Sequence, residues 1–271
     1  MSHPQAPIAI FDSGVGGLTV AAAIARLLPN EHLIYLGDTA RLPYGTKSAE
    51  TVTKYAVQAT RTLMRFNPKM IVVACNTASA VALPVLAAAY APIPVLGVVE
   101  PGAKAAVAAS RSGSIAVIAT EGTVKGGAYV RAIRALNPSA QIVQRACPLF
   151  VALAEEGWTS GAVPELAAQA YLKDIFGAAA QPDTLVLGCT HFPVLVEPIR
   201  KAVGPSVTLV DSAETVAREI ASLLNSMPGT GHATPNVFLS TDAPDRFARV
   251  GSLFFGAVIE PDQVELVDLA S

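Results

Sequence analysis

IVVACNTAS (Ile71–Ser79) and LVLGCTHFP (Leu185–Pro193) follow one grammar: aliphatic, β-branched residues run up to a cysteine, and a threonine comes within two positions. Unbroken apolar runs of this kind fit strands buried on both faces, as in a parallel sheet covered by helices. Similar runs recur on either side, at Ile8–Phe11, Leu33–Leu36, Met70–Ala74, Val95–Val98, Ser114–Ala119, Gln141–Arg145, Thr184–Leu187 and Val207–Val210, with weaker ones at Val237–Ser240 and Gln263–Leu266. Ala-rich segments of helical period separate them. Leu18–Leu28 is closed by Pro29-Asn30, and Ser48–Phe66 stops before Asn67-Pro68, as helices before proline do. The alternation predicts an α/β fold with mainly parallel sheets flanked by helices.

The repeat reaches beyond the cysteines. IAIFDSGVGG (Ile8–Gly17) runs strand, polar turn, glycines, helix, and SIAVIATEGTVKGG (Ser114–Gly127) repeats it. Aligning Ile8 with Ile115 places Ser13 on Thr120. Two similar halves are expected, joined near GVVEPG (Gly97–Gly102) and related by a pseudo-twofold, with the active site in the cleft between them. Each half then carries one cysteine just after a strand, at the edge where parallel sheets meet their ligands.

Composition narrows the class. With 52% hydrophobic and 15% charged residues in 271, the chain has ample core and no mark of disorder. A net charge of −2 with scattered basic residues argues against nucleic acid as a partner. Met70–Val99 carries no charge, but Pro84, Pro92, Pro94, Asn76, Thr77 and Ser79 break any membrane span. MSHPQAPIAIF has none of the features of a secretory signal, and three cysteines is an odd number, so a cytoplasmic protein without disulfides is expected.

Six segments in order, FDSGVGGLTV (Phe11–Val20), YLGDTARLPYG (Tyr35–Gly45), ACNTASA (Ala74–Ala80), GVVEPG, LGCTHFP (Leu187–Pro193) and VDSAETVA (Val210–Ala217), resemble the aspartate/glutamate racemase family. The resemblance implies glutamate as the small-molecule substrate and D-glutamate supply for peptidoglycan as the role. It also implies that VDSAETVA returns the chain to the first half. The domains would then be residues 1–98 plus 211–271, holding Cys75, and residues 99–210, holding Cys189. The oligomeric state stays open, a homodimer included.

Inverting an amino-acid α-carbon means removing a proton from one face and supplying one to the other, which two opposed bases do simply. Cysteine suits the role because its pKa, ordinarily about 8.5, responds to helix termini and neighbouring charge. Cys75 and Cys189 are the candidates. Cys147, in RACPLF without matched context, reads as structural. Asp12 and Ser13 read as a turn or as a wall of the site, and the resemblance implies that Asp12 assists Cys75 and Ser13 contacts substrate. By the same resemblance His191 is the proton partner of Cys189. Asn76, Thr77 and Thr190 can bind the α-carboxylate and amine. Tyr44 and Gly45 form a turn to which the resemblance adds contacts to the side-chain carboxylate, joined by Thr120. The resemblance also places an acidic residue near Glu155-Glu156 without choosing between them.

Neither metal nor cofactor is expected. Cys189-x-His191 lacks further zinc ligands, Lys47, Lys54 and Lys104 show no pyridoxal signature, and Thr19 breaks G-x-G-x-x-G. Three other readings compete: aspartate or a hydantoin as substrate, a hydrolase using Cys189 and His191, and a two-domain binding protein.

Overall fold

The computed structural model describes residues 6–177, 181–224 and 235–269. The strands are β1 (Ile8–Asp12), β2 (Leu33–Gly37), β3 (Met70–Val73), β4 (Val95–Gly97), β5 (Ser114–Ala119), β6 (Gln141–Ala146), β7 (Thr184–Gly188), β8 (Thr208–Asp211), β9 (Val237–Ser240) and β10 (Val264–Leu266). All ten fall where the apolar runs predict them. They form two sheets, β10-β9-β2-β1-β3-β4 and β6-β5-β7-β8, with every pairing parallel. The orders β2-β1-β3-β4 and β6-β5-β7-β8 are the same, so the repeat seen in the sequence is a repeat of topology.

β1 and β7 are central strands, and all five residues of each are buried, because helices cover both faces of the sheets. Helix Ala49–Leu63 starts at Ser48, whose hydroxyl accepts from Thr51 N at 3.2 Å. It is shorter than its periodicity predicts. Residues Met64–Phe66 tighten into a 3₁₀ turn before left-handed Asn67, the common way to satisfy terminal carbonyls.

GVVEPG differs from expectation: Gly97 closes β4 and Val99 begins helix Val99–Ala109. Pro101 sits in the first turn, where its missing N–H costs nothing. The link between sheets is therefore helical. After β8 the chain enters helix Ser212–Leu224, which packs on helices Leu18–Leu27 and Val99–Ala109. Among the described residues, no helix is long and apolar enough to cross a membrane.

Candidate active site

The C-terminal ends of β1 and β3 face those of β5 and β7 across one cavity. Ser13, Tyr44, Gly45, Cys75, Asn76, Thr77, Thr120, Cys189, Thr190 and His191 all line it. The cavity measures about 30 Å³ and adjoins a wider one of about 250 Å³ bounded by Leu42, Pro43, Thr120, Val151 and Glu155. The inner space is the narrower of the two, and both cysteines face it.

The two thiols occupy different electrical surroundings. Cys75 caps helix Asn76–Tyr90, and Ala78 N donates to its sulfur at 3.5 Å. Cys75 Sγ lies 3.6 Å from Ser13 Oγ. The helix terminus favours a thiolate. Burial opposes it, and so does the Asp12 carboxylate, and together they push the Cys75 thiol up to about 12. Asp12 itself does not line the cavity. It is fully buried behind it, accepting from Gly14 N at 2.9 Å and from Thr190 Oγ1 at 3.4 Å. Burial raises its pKa, against the pull of the His191 charge and the bonds from Gly14, Gly17 and Thr190. Asp12 therefore bears on Cys75 by its field, and that field opposes thiolate formation.

Cys189 faces His191, with Sγ 3.9 Å from Nδ1. His191 Nε2 donates to Glu155 Oε1 at 3.1 Å, and Arg246 Nη1 and Nη2 donate to Glu155 Oε2, each at 3.3 Å. Burial disfavours a charged ring, but the bonds to Cys189 and Glu155 outweigh it and raise the His191 pKa to about 10. Burial likewise works against the Glu155 carboxylate, while His191 and Arg246 hold its pKa below the ordinary value. The choice between the two glutamates is thereby made. Glu155 is 10% exposed and bonded to His191, whereas Glu156 is 71% exposed and lies 3.9 Å from Arg246 Nη2.

The cleft is narrow enough to require glycine. A Cβ on Gly16 would lie 2.4 Å from His191 Nδ1, and one on Gly45 would lie 2.6 Å from Thr120 Cβ. Hydroxyls tie the walls together: Thr77 Oγ1 is 2.9 Å from Thr120 Oγ1 and 3.2 Å from Thr123 Oγ1.

The Asp/Glu/Hydantoin racemase family profile matches residues 17–220. The chain belongs to that family. Among racemases of this family, a glutamate racemase from Geobacter metallireducens is 51% identical over 257 residues, covering 93% of this chain and 94% of that one. A glutamate racemase from Chlorobaculum tepidum is 46% identical over 98% of this chain and 97% of its own. The crystal structure of glutamate racemase isoform RacE1 from Bacillus anthracis superposes with a TM-score of 0.92 at 36% identity, covering 98% of this chain and 99% of that one. That of the Francisella tularensis glutamate racemase in complex with D-glutamate gives 0.90 at 36% identity, with 98% and 99% covered.

Two contributors to this racemase-family site are invisible to motif reading. Tyr129 OH donates to Asn76 Oδ1 at 2.7 Å and lies 3.0 Å from Ser212 Oγ. Arg246 lies beyond the span matched by the family profile. Cys147 stays outside the cavity, fully buried, with Sγ 3.8 Å from Arg145 O, and burial pushes its pKa up to about 12. Among the described residues, no three His, Cys, Asp or Glu side chains gather as metal ligands would.

Proposed function

We propose that the protein interconverts L- and D-glutamate by two-base proton transfer, with Cys75 and Cys189 working from opposite sides of the α-carbon. One observation carries the reading: both sulfurs open on the same cavity, each backed by different acid/base partners. One sulfur, as thiolate, takes the α-proton, and the electron pair spreads onto the α-carboxylate. The opposite thiol then gives its proton to the other face. The product leaves an enzyme whose two sulfurs have exchanged protonation states, and exchange with water restores them.

The His191 imidazolium, anchored by Glu155, stands beside Cys189, and burial and Asp12 favour the thiol form at Cys75; one sulfur starts as thiolate and the other as thiol, with the roles exchanged in the reverse direction. Asn76 is turned by Tyr129 so that Oδ1 is occupied, while Nδ2 is buried without a partner among the described residues. We assign that donor, with Thr77 and Thr190, to the substrate α-carboxylate, where hydrogen bonds tighten as charge develops. Ser13 contacts substrate beside Cys75. Tyr44, Gly45 and Thr120, which line the same cavity, receive the side chain.

The lobes we assign are residues 1–98 with 211–271, holding Cys75, and residues 99–210, holding Cys189. The small closed cavity supports a cycle in which the lobes part for substrate and shut for chemistry. The role follows from the substrate: D-glutamate supplied to peptidoglycan synthesis in the cytoplasm. Circular dichroism on the separate enantiomers of glutamate and aspartate tests the substrate. Loss of optical activity is expected with glutamate, and turnover of aspartate alone would reverse the assignment.

A further inference from the structure

Helix Pro244–Phe255 belongs to the six-stranded sheet, between β9 and β10, yet it touches the acid/base pair at the end of the four-stranded one. Arg246 places two N–H groups on Glu155 Oε2, and Phe254, eight residues on, meets the His191 ring edge-on at 5.2 Å. Helix stability does not explain an arginine there. Position 246 lies in the first turn, where the helix dipole disfavours a cation and where Asp245 is the favourable residue. The helix start is also held in place. Ala243 precedes it with a left-handed φ of 47°, Thr241 Oγ1 donates to buried Asp38, and Thr39 Oγ1 donates to Asp242 O at 2.8 Å. Asp38 also accepts from Tyr44 OH on the cavity wall, so one carboxylate ties the wall to the turn that aims Arg246.

We infer that Arg246 is a positioning residue for the acid/base pair at Cys189: it reaches across the cleft to hold one oxygen of Glu155, leaving the other for His191. This rests on the racemase reading above. Without the arginine, Glu155 Oε2 has no other side-chain partner among the described residues, and the carboxylate is free to rotate away from the ring. Because Arg246 and Glu155 come from elements of different sheets, the contact bridges the two sides of the cleft. The charged or titratable groups around Glu155 and His191 are Cys189, Asp12, Arg246 and Glu156.

The test is a double-mutant cycle of Arg246→Gln with Glu155→Gln, read by circular dichroism in both directions. Enantiomers have equal free energy, so kcat/KM must fall by one factor in the two directions while kcat and KM are free to split. Arg246→Gln is expected to lower kcat/KM about tenfold, the size of one charge-assisted hydrogen bond at a partly exposed site, mainly through kcat. In the Glu155→Gln background the same change should add nothing. Arg246→Lys should regain most of the loss. Wild-type kcat/KM in a folded Arg246→Gln, or an undiminished loss in the Glu155→Gln background, overturns the inference. If Arg246→Gln melts well below wild type, the cycle is read with Arg246→Met, which keeps the aliphatic stem and whose loss should likewise vanish beside Glu155→Gln. A wild-type protein inert on glutamate would instead overturn the substrate reading and leave the Arg246 contact to be tested on another amino acid.

Discussion

Gly16→Ala displaces the Cys189 partner, and Thr190 beside it, without altering the chemistry of either side chain. The added methyl would sit 2.4 Å from His191 Nδ1, 2.5 Å from Cε1 and 2.5 Å from Thr190 Oγ1. Gly16 does not use the left-handed region, so alanine adopts its backbone unstrained and only the contact changes. Restoring ordinary van der Waals separation requires the ring to retreat by about 1 Å, and a misplacement of that size costs about 10²-fold in rate. Retreat breaks a sulfur contact already at 3.9 Å and loads the 3.1 Å bond to Glu155. The fold has to absorb a single overpacked methyl, about 1–3 kcal/mol. Racemisation followed by circular dichroism, beside thermal melts, separates the two effects. Gly126→Ala is the control, since its Cβ meets nothing within 4 Å. A folded Gly16→Ala with the kcat/KM of wild type would refute the role given to His191.

The substitution Glu155→Gln should cost at least about tenfold in kcat, because His191 loses the anion that keeps it charged, whereas exposed Glu156→Gln should stay close to wild type. Tyr129→Phe removes the donor to Asn76 Oδ1 and frees the amide to turn, so KM should rise, with stability lower by about 1–2 kcal/mol in denaturant melts. Asp183 accepts from Ser110, Ser112 and Thr184 hydroxyls and from Arg111 and Ser112 N. It is half-buried, and burial works against its charge, but these bonds together hold its carboxyl well below the usual range. A depressed pKa contributes stability above the unfolded value of about 3.9 that is lost as pH falls through the folded one. Asp183→Asn should therefore melt earlier than wild type at neutral pH, with the gap closing in acid.

The fold was legible because parallel strands buried on both faces leave continuous apolar runs, and even β9 and the edge strand β10 showed them. The cysteine pair was legible because duplication placed each sulfur at the same point of its unit. Helix ends were less so: the 3₁₀ turn at Met64–Phe66 and the helical Val99–Gly102 depend on how carbonyls are satisfied locally. Glu155 and Glu156 are adjacent at a helix end, and only the tertiary position of His191 distinguishes them. Tyr129 and Arg246 act through long-range bonds from helices with no motif of their own. The role of Asp12 is not legible in sequence either: its buried carboxylate bears on Cys75 by its field, with a sign that depends on depth and distance.

Isotope exchange at the α-carbon in deuterium oxide, with wild type, Cys75→Ala and Cys189→Ala on each glutamate enantiomer, reaches the central proposal most directly. The account predicts deuterium in the inverted product of wild type. It predicts no inversion by either variant, with any residual exchange confined to one enantiomer and opposite in the two variants. Inverted product that keeps its original hydrogen, or wild-type inversion by either variant, would contradict it.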